Sequence, residues 1–351
     1  MVSNLLLTAL WLRHWKLFST FSALACVITL LALCAPSRAD CNGVDLFDRL
    51  GTEDPSRLAA IQYTGRSLPF GNGRMFRLSH PGIVPSILFG TLHLSDPRVA
   101  KLSTRVTEAI IGARQVAVEF VKGSQSLRRP APEGRDTAML APMIARADQR
   151  PDRLLDPDDR NLLMMALAHH GISEAAARKL NPAALVLALD IPPCAASVQG
   201  GKPYAEKLIQ EIAREHHIAV VGLETLAGQL RAINYLPREI ERDLLISSVQ
   251  SSFYGEDVIE TEIRRYTTGD IGGLVAWMMS PEPIPGVPRS RIPPEFLKRL
   301  LDDRNIIMRD RALPLLKRGG AFIAVGAAHL PGEKGLVRLL QDEGYQVEVL
   351  E

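Results

Sequence analysis

The chain has 351 residues, too many for one small module and few for three, and its 46% hydrophobic and 23% charged residues exclude global disorder. Lys and Arg number 41 against 39 Asp and Glu, and three of the basic residues (Arg13, Lys16, Arg38) fall in the first 39 positions, which hold no acid. The remaining residues carry 38 basic and 39 acidic groups, a balance that argues against a nucleic-acid-binding surface.

Residues 1–39 read as a secretory signal. A basic patch (Arg13, His14, Lys16) precedes the apolar run FSTFSALACVITLLALCA, and Ser37 and Ala39 occupy the −3 and −1 places of a signal-peptidase site. Cleavage is expected after Ala39, so that the mature protein begins at Asp40. The alternative is an uncleaved anchor in the inner membrane, because the run is nearly long enough to span. No later segment is apolar enough to cross a membrane, so the expected location is periplasmic or secreted. Cleavage removes two of the four cysteines and leaves Cys41 and Cys194. In an oxidising compartment these two can pair as a disulfide, or stand as independent buried thiols; spacing does not decide between them.

After the signal, RMFRLSH (74–80) and SILFG (86–90) read as neighbouring strands around a Pro-Gly turn. Residues 97–113 have helical periodicity, and QVAVE (115–119) is a short buried strand. Residues 136–216 hold Ala- and Leu-rich helical stretches, interrupted at Asn181-Pro182 and Ile191-Pro192-Pro193. A strand follows at IAVVGLE (218–224), then a helical block over 225–280. Residues 281–294 form a loop with six prolines. A helix over 295–318 leads to strand AFIAVG, helix GLVRLLQDEG and strand YQVEVL. This alternation predicts an α/β fold over residues 40–351: a central mixed β-sheet with flanking helices, capped by helical insertions at about 122–216 and 225–318.

Four strand ends carry candidate chemistry. SILFGTLHL and AFIAVGAAHL share one pattern: an apolar strand, then Gly (Gly90, Gly326), two residues, and His (His93, His329). Glycine there allows a tight turn that holds the imidazole at the strand's carboxyl end, where α/β proteins place their sites. QVAVE and VVGLE end in Glu119 and Glu224, carboxylates that need partners if buried. If the strands are parallel neighbours, His93, Glu119, Glu224 and His329 meet on one rim. Such a set suits a divalent metal with open positions, or a metal-free Glu–His acid/base pair. The plainer alternative is that these groups only bond loops and stabilise the sheet.

Other residues are less promising. Adjacent residues on a helix point about 100° apart, so His169-His170 and His216-His217 are assigned to surface or capping roles. His80, before Pro81, is structural, and the Met164–Met165 and Trp277–Met279 clusters are expected in the core. GNGR (71–74) has too little context for a phosphate cradle. No HExxH, P-loop, GxGxxG or GxSxG motif is present.

FGTLHLSDP, VAVE, VVGLET with Gln229, DDRNIIM and VGAAHLPGEKGLVRLLQDEGYQVEVL together resemble the TraB/GumN family, which includes the animal TIKI proteases. The likeness runs from about Met75 to Glu351, and the opening DCNGVDL and the IPPC loop are similar to exported GumN-type sequences. At PYAEKL (203–208) the chain departs from the family pattern, where an Asp-containing segment is expected. The resemblance implies an α/β core related to the erythromycin esterase and ChaN-like folds. It also implies a metal site of His93, Glu119 and His329 for a divalent ion (Mn, Co, Zn or Fe). Arg304 and Asn305 match a polar pair facing the same cleft, and Glu224 matches a further family position, so Glu119, Glu224, Arg304 and Asn305 are the catalytic candidates.

The expectation is an exported metal-dependent hydrolase, peptidase-like, acting on a peptide or cell-envelope substrate. Two alternatives stand beside it: a non-catalytic iron-, haem- or envelope-binding protein of ChaN type, and a metal-free Glu/His esterase-like hydrolase.

Overall fold

The computed structural model describes residues 41–121, 143, 150–195 and 203–351. The expected cleavage site after Ala39 lies outside them, as does most of the first expected insertion before residue 150. The described part is an α/β fold built on a six-stranded mixed sheet. The strands are β1 (Met75–His80), β2 (Ile83–Thr91), β3 (Gln115–Val118), β4 (Val220–Gly222), β5 (Ala321–Gly326) and β6 (Gln346–Val349), and their spatial order is β4-β3-β5-β2-β1-β6. β1 pairs antiparallel with β2 and β6. β2, β5, β3 and β4 run parallel to one another.

This topology follows from the sequence patterns. β5 is buried at all six positions, as a central parallel strand covered on both faces must be. Alternate residues divide between the two faces. Phe76, Leu78, Leu88, Ala117, Ile323 and Val325 pack under the helices Asp303–Arg318 and Leu336–Asp342. Met75, Phe89, Val116, Val118, Phe322 and Ala324 pack under Thr104–Ile111 and Ala205–Glu215. The helix expected over 97–113 is two pieces, because Ser103 caps a new start: its hydroxyl accepts from the Val106 amide.

Of the remaining helices, Gly255–Thr267 packs at the carboxyl edge of the parallel strands, its Ile259, Ile263 and Tyr266 clustering with Leu92, Leu94 and Ala327. Leu163, Ala166, Leu167, Leu185 and Leu189 form a separate core with the helix Arg238–Ser252. Two helices inside the stretches expected as insertions, Ala205–Glu215 and Asp303–Arg318, lie on the sheet itself. The methionine expectation is corrected: Met164 and Met165 are 37% and 60% exposed, because their helix turns Leu163, Ala166 and Leu167 inward and leaves the intervening face to solvent. Of the second cluster, Trp277 is buried and Met279 exposed.

Cys41 and Cys194 are joined as a disulfide, with Cα atoms 5.4 Å apart. The bond sits in an apolar cluster with Leu92, Leu94, Ile191 and Ile259. It ties the start of the described chain to the segment after the helix Pro182–Leu189. Among the described residues no helix is long and apolar enough to cross a membrane.

Candidate functional site

Register alone brings four loops together. Thr91 of β2 stands opposite Gly326 of β5, and Val118 of β3 stands opposite Ala324 of β5 and Gly222 of β4. The residues just past these strands, His93, Glu119, Glu224 and the 3₁₀ turn Ala327–His329, therefore share one rim. The glycines act differently from the expectation. Gly326 has φ −56°, outside the left-handed region. A Cβ on Gly326 would lie 3.1 Å from Glu119 Oε1, 3.5 Å from His93 Nε2 and 3.6 Å from His329 Cδ2. A Cβ on Gly90 would lie 2.6 Å from Leu330 Cδ1. Both are needed for close approach: one keeps open the space on which Glu119 and the two histidines converge, the other lets β2 pack against the His329 turn.

His93, Glu119 and Glu206 present ligand atoms that all lie within 4.8 Å of one another. Ligands on one ion at about 2.0–2.3 Å stand roughly 3–4.6 Å apart, so these three groups are near enough to share a cation. Glu119 and Glu206 are buried, while the His93 side chain is 54% exposed, so the cluster opens to solvent on the His93 side. A cavity of about 580 Å³ begins there, with the Tyr204 ring edge-on to His93 at 6.1 Å.

Glu206 was not among the residues singled out from sequence. It lies in PYAEKL, on the helix Ala205–Glu215, whose apolar stripe Ala205, Ile209 and Ala213 it shares. Its carboxylate accepts from the Thr91 hydroxyl at 3.0 Å and stands 3.8 Å from His93 Nδ1. An acid inside the buried stripe of an amphipathic helix was the available signal.

His329 stands beside this group, its Nε2 3.8 Å from Glu119 Oε1, and is not one of the three clustered ligands. Its Nδ1 meets Asn305 Oδ1 at 2.8 Å. Asn305 Nδ2 donates to the Lys334 carbonyl, which assigns the amide oxygen to His329. Nδ1 therefore carries the proton and Nε2 presents a lone pair. Burial lowers the His329 pKa to about 4, so the ring is neutral at pH 7.

Arg304 follows a π-helical turn at Lys298–Asp302 and points between two acids. Its Nη2 is 2.7 Å from Glu119 Oε2 and 2.6 Å from Glu224 Oε2, and its Nε also reaches both Glu224 oxygens. Gln229 Nε2 lies 3.5 Å from Glu119 Oε2 and 3.4 Å from Glu224 Oε2. Burial opposes a charge on Glu119, yet His329, His93 and Arg304, with the Gly326 amide, hold its carboxyl well below the ordinary range. Burial pushes Glu206 the other way, to about 7, and the Glu119 charge adds to the rise. One carboxylate is thus kept ionised by a fixed cation, while the other keeps its proton near neutrality unless a further cation arrives.

The histidines assigned to minor roles stay away from this rim. His170 closes its helix with Nδ1 2.9 Å from the Ala166 carbonyl, His216 and His217 are exposed, and His80 packs on Tyr345.

No curated protein and no solved structure matches the chain. A model of the TraB/PrgY/gumN family matches residues 75–349, a span that holds all six strands and every site residue from His93 to His329. The chain belongs to the TraB/PrgY/gumN family.

Proposed function

We propose that the protein is an exported, metal-dependent hydrolase of peptidase type, with His93, Glu119 and Glu206 holding one divalent ion. The observation that carries this reading is the convergence of one imidazole and two carboxylates within 4.8 Å, at the carboxyl edge of the parallel strands. The donor set of nitrogen and carboxylate oxygen suits Mn, Co, Zn or Fe, and Gly326 leaves open the volume that any larger residue would fill. The chemistry a divalent ion supplies there is Lewis acidity, which polarises a carbonyl and makes water more acidic.

The chain's own residues divide the remaining work. Arg304 keeps Glu119 ionised and fixed, and Glu224 fixes Arg304 in turn. Both carboxylates occupy the guanidinium, so Arg304 acts as a buried counter-ion and not as an anchor for a substrate anion. His329, neutral and with Nε2 unprotonated, takes up a proton from the attacking water, and Asn305 holds its tautomer. The exposed side of His93 and the adjoining cavity admit the substrate. Export rests on the N-terminal signal pattern and is supported by the Cys41–Cys194 bond, which oxidising compartments favour.

The test is metal analysis of the purified mature protein, coupled to a peptide-hydrolysis screen. Hydrolysis abolished by chelator and restored by added metal supports the reading. Hydrolysis indifferent to chelator shifts the assignment to the Glu119–His329 pair acting without metal, and a bound chromophore with no turnover shifts it to the binding-protein alternative. N-terminal sequencing of exported material locates the cleavage site.

A further inference from the structure

The cavity beside His93 has walls of Leu92, Leu94, Ile191 and Ile259, and it also holds two carboxylates outside the metal cluster, Asp190 and Glu262. Asp190 follows the helix Pro182–Leu189 and precedes Ile191 and the disulfide-bonded Cys194. Glu262 lies on the helix Gly255–Thr267, which is fastened to β2 where the buried Tyr266 hydroxyl donates to the Gly90 carbonyl at 2.8 Å. Both acids are thus carried by elements pinned over the sheet edge, one by a covalent bond and one by a buried hydrogen bond.

Among the described residues, neither side chain has an ion-pair or hydrogen-bond partner. Lys207 also lines the cavity, but its ammonium stands 4.0 Å from Glu211 on its own helix. The arrangement is unfavourable for the protein alone. Burial, with the Asp190 charge adding to it, pushes Glu262 up to about 8; where the two line the cavity, Glu262 is half-buried and Asp190 is exposed. Two carboxylates that line one cavity without a partner, one of them half-buried, offer a matching site to a cation that comes from outside.

We propose that Asp190 and Glu262 form a specificity pocket for a cationic side chain of a peptide substrate, an ammonium or guanidinium presented beside the bond held at His93. The inference rests on the hydrolase reading for the chemistry, and on the cavity for recognition. The apolar walls match the methylene stem of such a side chain, and the acids match its head.

Binding is read by calorimetry on the mature protein in the presence of chelator. The probes are two acetylated, amidated pentapeptides with a central lysine or norleucine in an alanine background. Wild type should bind the lysine peptide about tenfold more tightly, the scale of one charge-assisted contact. In the variant Asp190→Asn/Glu262→Gln the two affinities should fall within about twofold of each other, with norleucine binding unchanged. Equal affinities in wild type, an undiminished lysine preference in the double variant, or no binding of either peptide at about 1 mM would overturn the proposal. Asp190→Asn alone serves if the double variant fails to fold, and should reduce the preference by at least about threefold. A lysine preference found without any chelator-sensitive hydrolysis would remove the hydrolase reading and keep the pocket.

Discussion

Asn305 Oδ1 accepts a hydrogen bond from His329 Nδ1 at 2.8 Å, deep under the carboxyl edge of the sheet. The two residues lie on different elements, the helix Asp303–Arg318 and the turn after β5, and together they set which ring nitrogen faces Glu119. Replacing Asn305 by Ala frees the imidazole to adopt the other tautomer. We expect hydrolysis to fall about 10–100-fold while the thermal midpoint changes little, since the lost contact orients a functional group. Hydrolysis rates measured beside a melting curve check this; a loss of activity that tracks unfolding would reduce Asn305 to a packing residue.

Arg304 is the counter-ion of two buried carboxylates, and its removal leaves both without a partner. Arg304→Ala should destabilise the protein by about 3–5 kcal/mol, the usual cost of breaking a buried charge network from one side. Denaturant unfolding of both proteins at pH 7 decides it. A change below about 1 kcal/mol would mean that water, not Arg304, solvates Glu119 and Glu224.

Glu206 makes metal-free stability depend on pH with a definite sign. Its carboxyl rises from an ordinary 4.5 to about 7 in the fold, through burial first and the Glu119 charge after it, against the lowering effect of His93. A group with a raised folded pKa contributes stability that is complete below its unfolded value and lost as pH climbs through the folded one. Glu119 and His329, both lowered, contribute with the opposite sign, so the comparison must be between wild type and Glu206→Gln. With chelator present, Glu206→Gln should match wild type near pH 4 and exceed it by about 1–3 kcal/mol at pH 8. Added metal should reverse that order, because wild type alone retains the third ligand. Unfolding at the two pH values, with chelator and with metal, gives the answer.

The Cys41–Cys194 bond closes 153 residues of chain, and its reduction should destabilise the protein by about 4–5 kcal/mol in the chain-entropy account. The same change should loosen the segment that carries Asp190 and Ile191 into the cavity. Thermal unfolding with and without reductant measures the first effect, and hydrogen exchange across residues 182–195 the second. Unchanged exchange after reduction would show that the helix packing alone holds that wall.

Strand periodicity made the sheet readable from residues alone. Continuous apolar runs such as AFIAVG are what a strand buried on both faces requires, and the Gly-x-x-His and strand-end Glu signals need only local chain geometry. The parallel neighbouring of β2, β3, β4 and β5 was a condition the sequence stated but did not decide, since strand order depends on packing between segments 104 to 235 residues apart. Glu206 shows the limit best. It lies at the start of an ordinary amphipathic helix, and only the docking of that helix across β3 and β4 carries its carboxylate to Thr91 and His93. Arg304 was marked for the cleft by the family resemblance alone, and only the fold shows that Glu119 and Glu224 both occupy its guanidinium. Residue type and local pattern determined which groups stand at strand ends, because those are properties of a few adjacent residues. Which of them share a charge, a proton or a ligand position was decided by the tertiary structure, because burial and electrostatic coupling exist only between groups the fold brings within a few ångströms.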